Sequence, residues 1–184
     1  MKITISGKIG SGKSTIGKFL AKKLGLKHYS TGDFMRQIAN EKGKTLLELS
    51  KIAENSDEID RILDERQMSL GETEDDFLID ARLGFYFIPD SIKIFLDVDI
   101  NEAAKRIYAE KRLDETNLSL KNTIENIKTR QASEKNRYEK YYRIDVNDKS
   151  NFDIWIDTSN KCPEEIVEII LSEIKGLEEK MEKT

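Results

Sequence analysis

Gly7-Lys8-Ile9-Gly10-Ser11-Gly12-Lys13-Ser14 has the spacing G-x-x-x-x-G-K-[ST], a set of residue types suited to holding a polyphosphate. The glycines let the main chain curl around an anion without Cβ clashes, and the N–H groups that open the following helix point at it. Lys13 is spaced to reach the β- and γ-phosphates of a nucleoside triphosphate and Ser14 to ligate Mg²⁺, so the binding stretch runs from Gly7 through Thr15.

Three further clusters carry phosphate chemistry. In Ser30-Thr31-Gly32-Asp33-Phe34-Met35-Arg36 the glycine permits an open turn and Ser30 or Thr31 can cap a helix. That helix start offers N–H groups to an anion, and Arg36, one turn in, adds a bidentate contact. In Phe77-Leu78-Ile79-Asp80-Ala81-Arg82 an apolar run ends in a carboxylate of the kind that holds Mg²⁺ through water, with a guanidinium two residues on. Asp97 and Asp99 compete with Asp80 for that role, and the nearness of Arg82 favours Asp80. Arg130, Glu134 and Arg137 stand at i, i+4, i+7 and share one helical face. Such a face can close on a transferring phosphoryl group. On spacing alone, an intrahelical salt-bridge ladder is the stronger reading.

The elements that must position these residues alternate between strand and helix, which predicts a parallel sheet covered on both faces. The predicted strands are Lys2–Ser6, Leu26–Ser30, Phe77–Asp80, Ile92–Asp97 and Asp153–Asp157, most of them apolar runs that end in polar residues. Helices are predicted from the loop to Leu24, from Asp33 to Lys42, and as a pair across Thr45–Leu70 broken near Asn55-Ser56. A long polar helix over Ser119–Tyr142 has sparse apolar positions at Leu120, Ile124, Ile127 and Tyr138, too few for a core helix. Pro163–Leu177 forms the last helix, with Glu178–Thr184 as a frayed tail.

The 184 residues suit one domain with a five-stranded core. A net charge of −4 with no basic face argues against duplex nucleic acid as the main ligand. His28 and Cys162 are the only residues of their kinds, which excludes a zinc cluster, a disulfide framework and a histidine-based triad. No apolar run approaches about 20 residues, and Met1 leads directly into a strand, so neither a membrane span nor a signal peptide is expected. The expected location is the cytoplasm. An N-K-x-D guanine motif is missing (Asn160-Lys161-Cys162-Pro163 lacks the Asp), which argues against a GTPase. Motor ATPases need a longer chain. Small-molecule kinases remain.

On these residues the chain resembles the nucleoside monophosphate kinases, and within them the short archaeal type of cytidylate kinase. The match is carried by Gly7–Thr15, Ser30–Arg36, Ile59-Asp60 through Arg66-Gln67, Ile79–Gly84, Pro89–Asp97, the R-x-x-S-E-x-x-R-Y run from Arg130 to Tyr138, and Tyr142–Ser159. The resemblance implies a three-layer α/β P-loop kinase fold. Its core would be residues 1–44, 71–110 and 149–184, with a helical monophosphate-binding insert at 45–70 and a lid at 111–148. It implies that Arg36 and Arg82 clamp the acceptor phosphate, joined by Arg130 and Arg137, with Thr31 and Gly32 also binding the substrate. It places Ser50, Asp60 and Arg66 at the nucleoside, Glu134 near base or sugar, and Arg106 and the Thr158-Ser159 loop on opposite faces of the adenine. The chain departs from the family at Ala81 and Arg143, where glycine is usual, and at Glu110, where a lid-base arginine is expected with Lys111 and Arg112 displaced beside it.

The implied reaction is MgATP + CMP or dCMP giving ADP and CDP or dCDP, by a monomer acting on small-molecule nucleotides with ATP and Mg²⁺. Adenylate or UMP/CMP kinase activity differs from this only in the base pocket. A nucleotide-gated assembly factor would use ATP without an acceptor.

Overall fold

In the computed structural model, which describes residues 1–45, 48–49, 52–53, 56–109 and 119–181, five strands form one parallel sheet. They are β1 (Lys2–Gly7), β2 (Lys27–Ser30), β3 (Phe77–Asp80), β4 (Ile92–Asp97) and β5 (Ile154–Asp157), in the order β2-β3-β1-β4-β5. The chain first winds from β1 out to β2 and later returns to the other side through β4 and β5. The crevice for a ligand therefore lies at the carboxyl end of β1, where the winding reverses.

Strand alternation sorts β1 into two faces. Ile3 and Ile5 join Leu78, Ile94 and Ile156 under α1 (Lys13–Leu24) and α7 (Pro163–Met181), contacting Ile16, Leu20 and Ile170. On the opposite face Phe77 and Ile79 pack against Phe34 of α2 (Thr31–Glu41), Leu70 of α3 (Glu58–Thr73) and Ile88 just beyond α4 (Gly84–Phe87). The result is helix, sheet, helix, as the residue pattern predicts. The polar β1 residues face α4: Thr4 Oγ1 bonds Ser91 Oγ at 3.0 Å, and Ser6 Oγ donates toward the Ala81 and Arg82 carbonyls, both at 3.0 Å.

Each helix starts where capping chemistry lets it. α2 opens at Thr31, two residues before the predicted Asp33, because the Ser30 hydroxyl accepts from Asp33 N at 3.1 Å. Ser119 caps α6 (Leu120–Tyr142) in the same way, through Asn122 N at 3.2 Å. α7 continues to Met181, so Glu178–Met181 are helical and not the frayed tail predicted; Glu and Lys are good helix formers, and nothing in the stretch breaks the pattern. Arg143 ends α6 in the left-handed region at φ 57°, which is the geometry a C-terminal glycine supplies.

α6 is polar along most of its length but anchored at both ends. Ile127 packs into Ile9, Val98, Ala104 and Ile107, the last two from α5 (Ile100–Ala109). Tyr138 packs on Leu83 and Phe85. Leu120, expected in the apolar stripe, is exposed.

Candidate active site

The loop after β1 is held by two close approaches that only glycine allows. A Cβ on Gly7, at φ +151°, would lie 2.3 Å from Leu96 O of the neighbouring strand. One on Gly10, at φ +79°, would lie 2.8 Å from Ala103 Cβ of α5. Between loop and helices lies a cavity of about 290 Å³, walled by Ile9–Ile16 together with Arg82, Arg106, Arg130 and Lys161. Lys13 Nζ donates to Gly7 O at 3.0 Å and to Lys8 O at 3.4 Å. Lys161 also lines this cavity and escaped sequence reasoning, because a lysine in a polar turn carries no pattern.

Arg106 donates to Thr158 O at 2.6 Å and Ser159 O at 3.2 Å, and reaches Gly10 O at 3.5 Å. Thr158 is fully buried, and its hydroxyl also accepts from Arg106. Arg106 and the Thr158-Ser159 loop were expected on opposite faces of a base. They are bonded to each other, so the loop braces Arg106 from behind. Lys8 points away from the cavity to Asp97, 2.6 Å off, and Ile9 is buried against α5.

The three carboxylates that compete for the metal role differ in their partners. Asp97 is taken by Lys8 and by Val98 N, at 2.7 Å. Asp99 caps α5 by accepting from Asn101 N and Glu102 N, which holds it below the usual carboxylate range. Asp80 is 6% exposed and its Oδ2 has no hydrogen-bond partner among the described residues. A buried, unsatisfied carboxylate oxygen at a strand end is what a hydrated Mg²⁺ would satisfy, and Ser14 lies in the first turn of the helix after the neighbouring strand.

A second cavity, of about 430 Å³, lies between α2, α3, α6 and the end of β3. Thr31, Gly32, Asp60, Arg82, Glu134 and Arg137 line it, all sequence-predicted. Arg82 also lines the loop cavity, so the two compartments share that side chain. Its Nη1 donates to Gly7 O at 3.0 Å, the carbonyl that also receives Lys13. Arg137 Nη1 lies 3.4 Å from Asp60 Oδ2. The face shared by Arg130, Glu134 and Arg137 is therefore no simple ladder: Arg130 faces the loop cavity, Arg137 the second one, and Glu134 meets Arg82.

One predicted nucleoside contact, Arg66, does not line this cavity. Arg66 is ion-paired with Glu41 and donates to Gln37 at 3.0 Å, outside the lining. Asp60, Leu63, Asp64 and Gln67 mark the inner face of α3, and Arg66 lies about 100° around the helix from Gln67. Ser50 is outside the described residues, as are Glu110, Lys111 and Arg112. Arg36 is ion-paired with Asp33, and its guanidinium nitrogens lie 3.8 and 4.0 Å from where a Cβ on Gly32 would be.

Asp64, Gln67 and Tyr142 also line the second cavity, and sequence reading gave them no role of their own. Tyr142 donates to Asp64 Oδ2 at 2.5 Å. Burial, with some help from Asp60, pushes the Asp64 carboxyl up to about 6 against the pull of Tyr142 and Arg137, and burial beside Asp64 raises the Tyr142 phenol as well. The i, i+4, i+7 spacing of Asp60, Asp64 and Gln67 was the available signal.

A phosphate loop at the end of the central strand of a five-stranded parallel sheet is the architecture of the P-loop kinases. The fold matches a shikimate kinase structure from Bacteroides thetaiotaomicron with TM-score 0.67 and 18% identity, covering 99% of this chain and 98% of that one. It matches a protein from Eubacterium ventriosum with TM-score 0.71 and 18% identity, covering 95% and 98%. Within that fold the chain belongs to the cytidylate kinase-like family, whose model matches residues 2–160. A cytidylate kinase from Sulfurisphaera tokodaii is 40% identical over 172 residues, 92% of this chain and 93% of that one. One from Natronomonas pharaonis is 38% identical over 178 residues, 96% and 90% of the two chains. The family resemblance read from the sequence is borne out.

Proposed function

We propose that this chain transfers the γ-phosphoryl group of ATP to CMP or dCMP, giving ADP and CDP or dCDP. The observation that carries this reading is the pair of adjoining cavities that share Arg82. One is built on the phosphate loop. The other, over the carboxyl end of β3, collects guanidinium groups that suit a second phosphate ester.

The acceptor oxygen is already an anion, so no strong general base is required. The chain's task is to align two repelling phosphates and offset the charge between them. In this reading Lys13 and the loop N–H groups hold the donor phosphates, with Arg106 beside them. Arg137 and Arg36 orient the acceptor phosphate, while Arg82 and Arg130 flank the path of transfer. Ser14 and Asp80 would hold Mg²⁺, which supplies charge neutralisation between β- and γ-phosphates.

Residues 45–70 act as the acceptor-binding insert and 111–148 as a lid, whose closure excludes water that would otherwise accept the phosphoryl group. The protein acts as a cytoplasmic monomer. Among the described residues no helix is long and apolar enough to cross a membrane.

An ADP-release assay over CMP, dCMP, UMP, AMP and GMP tests the reading. Turnover dependent on CMP or dCMP is the expected result. Turnover indifferent to every monophosphate would replace it with the assembly-factor reading, and dependence on AMP would reassign the base pocket.

A further inference from the structure

Gln67 is 3% exposed on the inner face of α3 and lines the second cavity. Its amide NH₂ donates to Leu63 O at 3.2 Å, one turn back along the helix. That bond fixes which end of the amide is oxygen and turns Oε1 away from the backbone. Oε1 has no hydrogen-bond partner among the described residues. Buried polar atoms without partners are rare in folded chains, and one carried by a cavity-lining side chain can be satisfied by what fills the cavity. The partner it requires is an N–H or O–H donor.

The surroundings narrow that donor. Asp60, whose carboxylate meets Arg137, lies two helical turns before Gln67, about 10 Å along the axis. The α3 wall thus has a guanidinium at one end and an acceptor oxygen at the other, fitting a ligand with an anion at one end and an amine at the other. Between them Leu63, Met35 and Ile59 supply apolar surface for a flat ring.

We infer that Gln67 reads the acceptor base, its Oε1 accepting a hydrogen bond from the exocyclic amino group of cytosine. Uracil would place its O4 at the same point and set oxygen against oxygen. A site built to bond a substrate N–H rejects the analogue that lacks it far more strongly than an apolar pocket rejects a change of size. This inference rests on the CMP kinase reading and adds to it the residue that separates the two pyrimidines.

The test compares wild type with Gln67→Met, similar in length and without the acceptor oxygen, on CMP, UMP and the 2-pyrimidinone ribonucleoside monophosphate that lacks the amino group. Wild type is expected to favour CMP over both others by at least about 100-fold in kcat/KM. In Gln67→Met the CMP value falls by a similar factor and the amine-free analogue stays within a few-fold. The KM for ATP is unmoved. A variant that keeps the wild-type CMP preference would overturn the inference and assign Oε1 to a buried water. Should the variant not fold, the wild-type comparison decides: indifference to loss of the amino group overturns the inference. A wild type inactive on CMP sinks the underlying kinase assignment instead, a separate result.

Discussion

Arg82 Nε lies 3.0 Å from Glu134 Oε2, linking the end of β3 to the middle of α6 across the cleft, while the same guanidinium holds Gly7 O through Nη1. Both partners are largely shielded, at 25% and 20% side-chain exposure, so the pair is better protected from solvent than a surface ion pair. Glu134 keeps the cation aimed between the two compartments before any phosphate arrives. A lysine carries the charge but cannot reproduce the planar fork that makes both bonds. Arg82→Lys should therefore lower kcat by about 100-fold or more, with little change in melting temperature. Steady-state kinetics beside a thermal melt check this.

Lys13→Ala removes the side chain expected at the donor phosphates. It donates to carbonyls at the end of β1 and in the loop and takes no part in the apolar core, so the fold should persist. The expected loss is on the order of 1,000-fold in kcat with an unchanged circular dichroism spectrum. Transfer near the wild-type rate would remove the loop from the reaction.

Asp80→Asn keeps the shape of the buried strand end and removes its charge. The Mg²⁺ concentration for half-maximal activity should rise by roughly 10-fold or more, read from a metal titration at saturating nucleotide. The matching substitution at Asp97, already engaged by Lys8, should leave that midpoint near wild type.

Asp64 links stability to pH. Its carboxyl titrates near 6 in the fold against an ordinary value of 3.8, so the folded state binds this proton more tightly than the unfolded chain. Its contribution is fully present below about pH 4 and is lost as pH rises through about 6. Relative to Asp64→Asn, wild type should lose about 1 kcal/mol of unfolding free energy between about pH 4 and pH 7, a figure reduced for partial solvent access. Urea unfolding of both proteins across that range measures it. A wild type that gains stability relative to Asp64→Asn as pH rises would contradict the burial argument.

Arg143 occupies a left-handed C-cap that costs a residue with a Cβ about 1 kcal/mol. Arg143→Gly should raise stability by about 0.5–1 kcal/mol, with activity retained. A lowered melting temperature would mean that the arginine side chain has a role of its own.

The pattern of strands was legible because most are short apolar runs with a polar end, and Lys27–Ser30, Phe77–Asp80 and Ile92–Asp97 all fall within a residue of expectation. The loop residues and Arg82 were legible because their chemistry is tied to fixed spacing. Gln67, Asp64 and Tyr142 were not: spacing puts Asp64 and Gln67 on one helix face with Asp60, but only the meeting of α3 and α6 across a cavity gives that face and Tyr142 their importance. Arg66, on the same helix, stands about 100° away from Gln67 and is paired with Glu41, a placement set by helical phase and not by the segment alone. The division of Arg130 and Arg137 between two cavities likewise depends on where Ile127 and Tyr138 anchor α6.

One main-chain oxygen, Gly7 O, receives both Lys13 Nζ and Arg82 Nη1. For inhibitor chemistry this loosens a familiar constraint. Compounds that bridge two phosphate compartments are usually burdened with enough anionic charge to keep them out of cells. Here a single uncharged carbonyl already holds the two cations side by side, so a bridging ligand can engage both with one well-placed neutral acceptor.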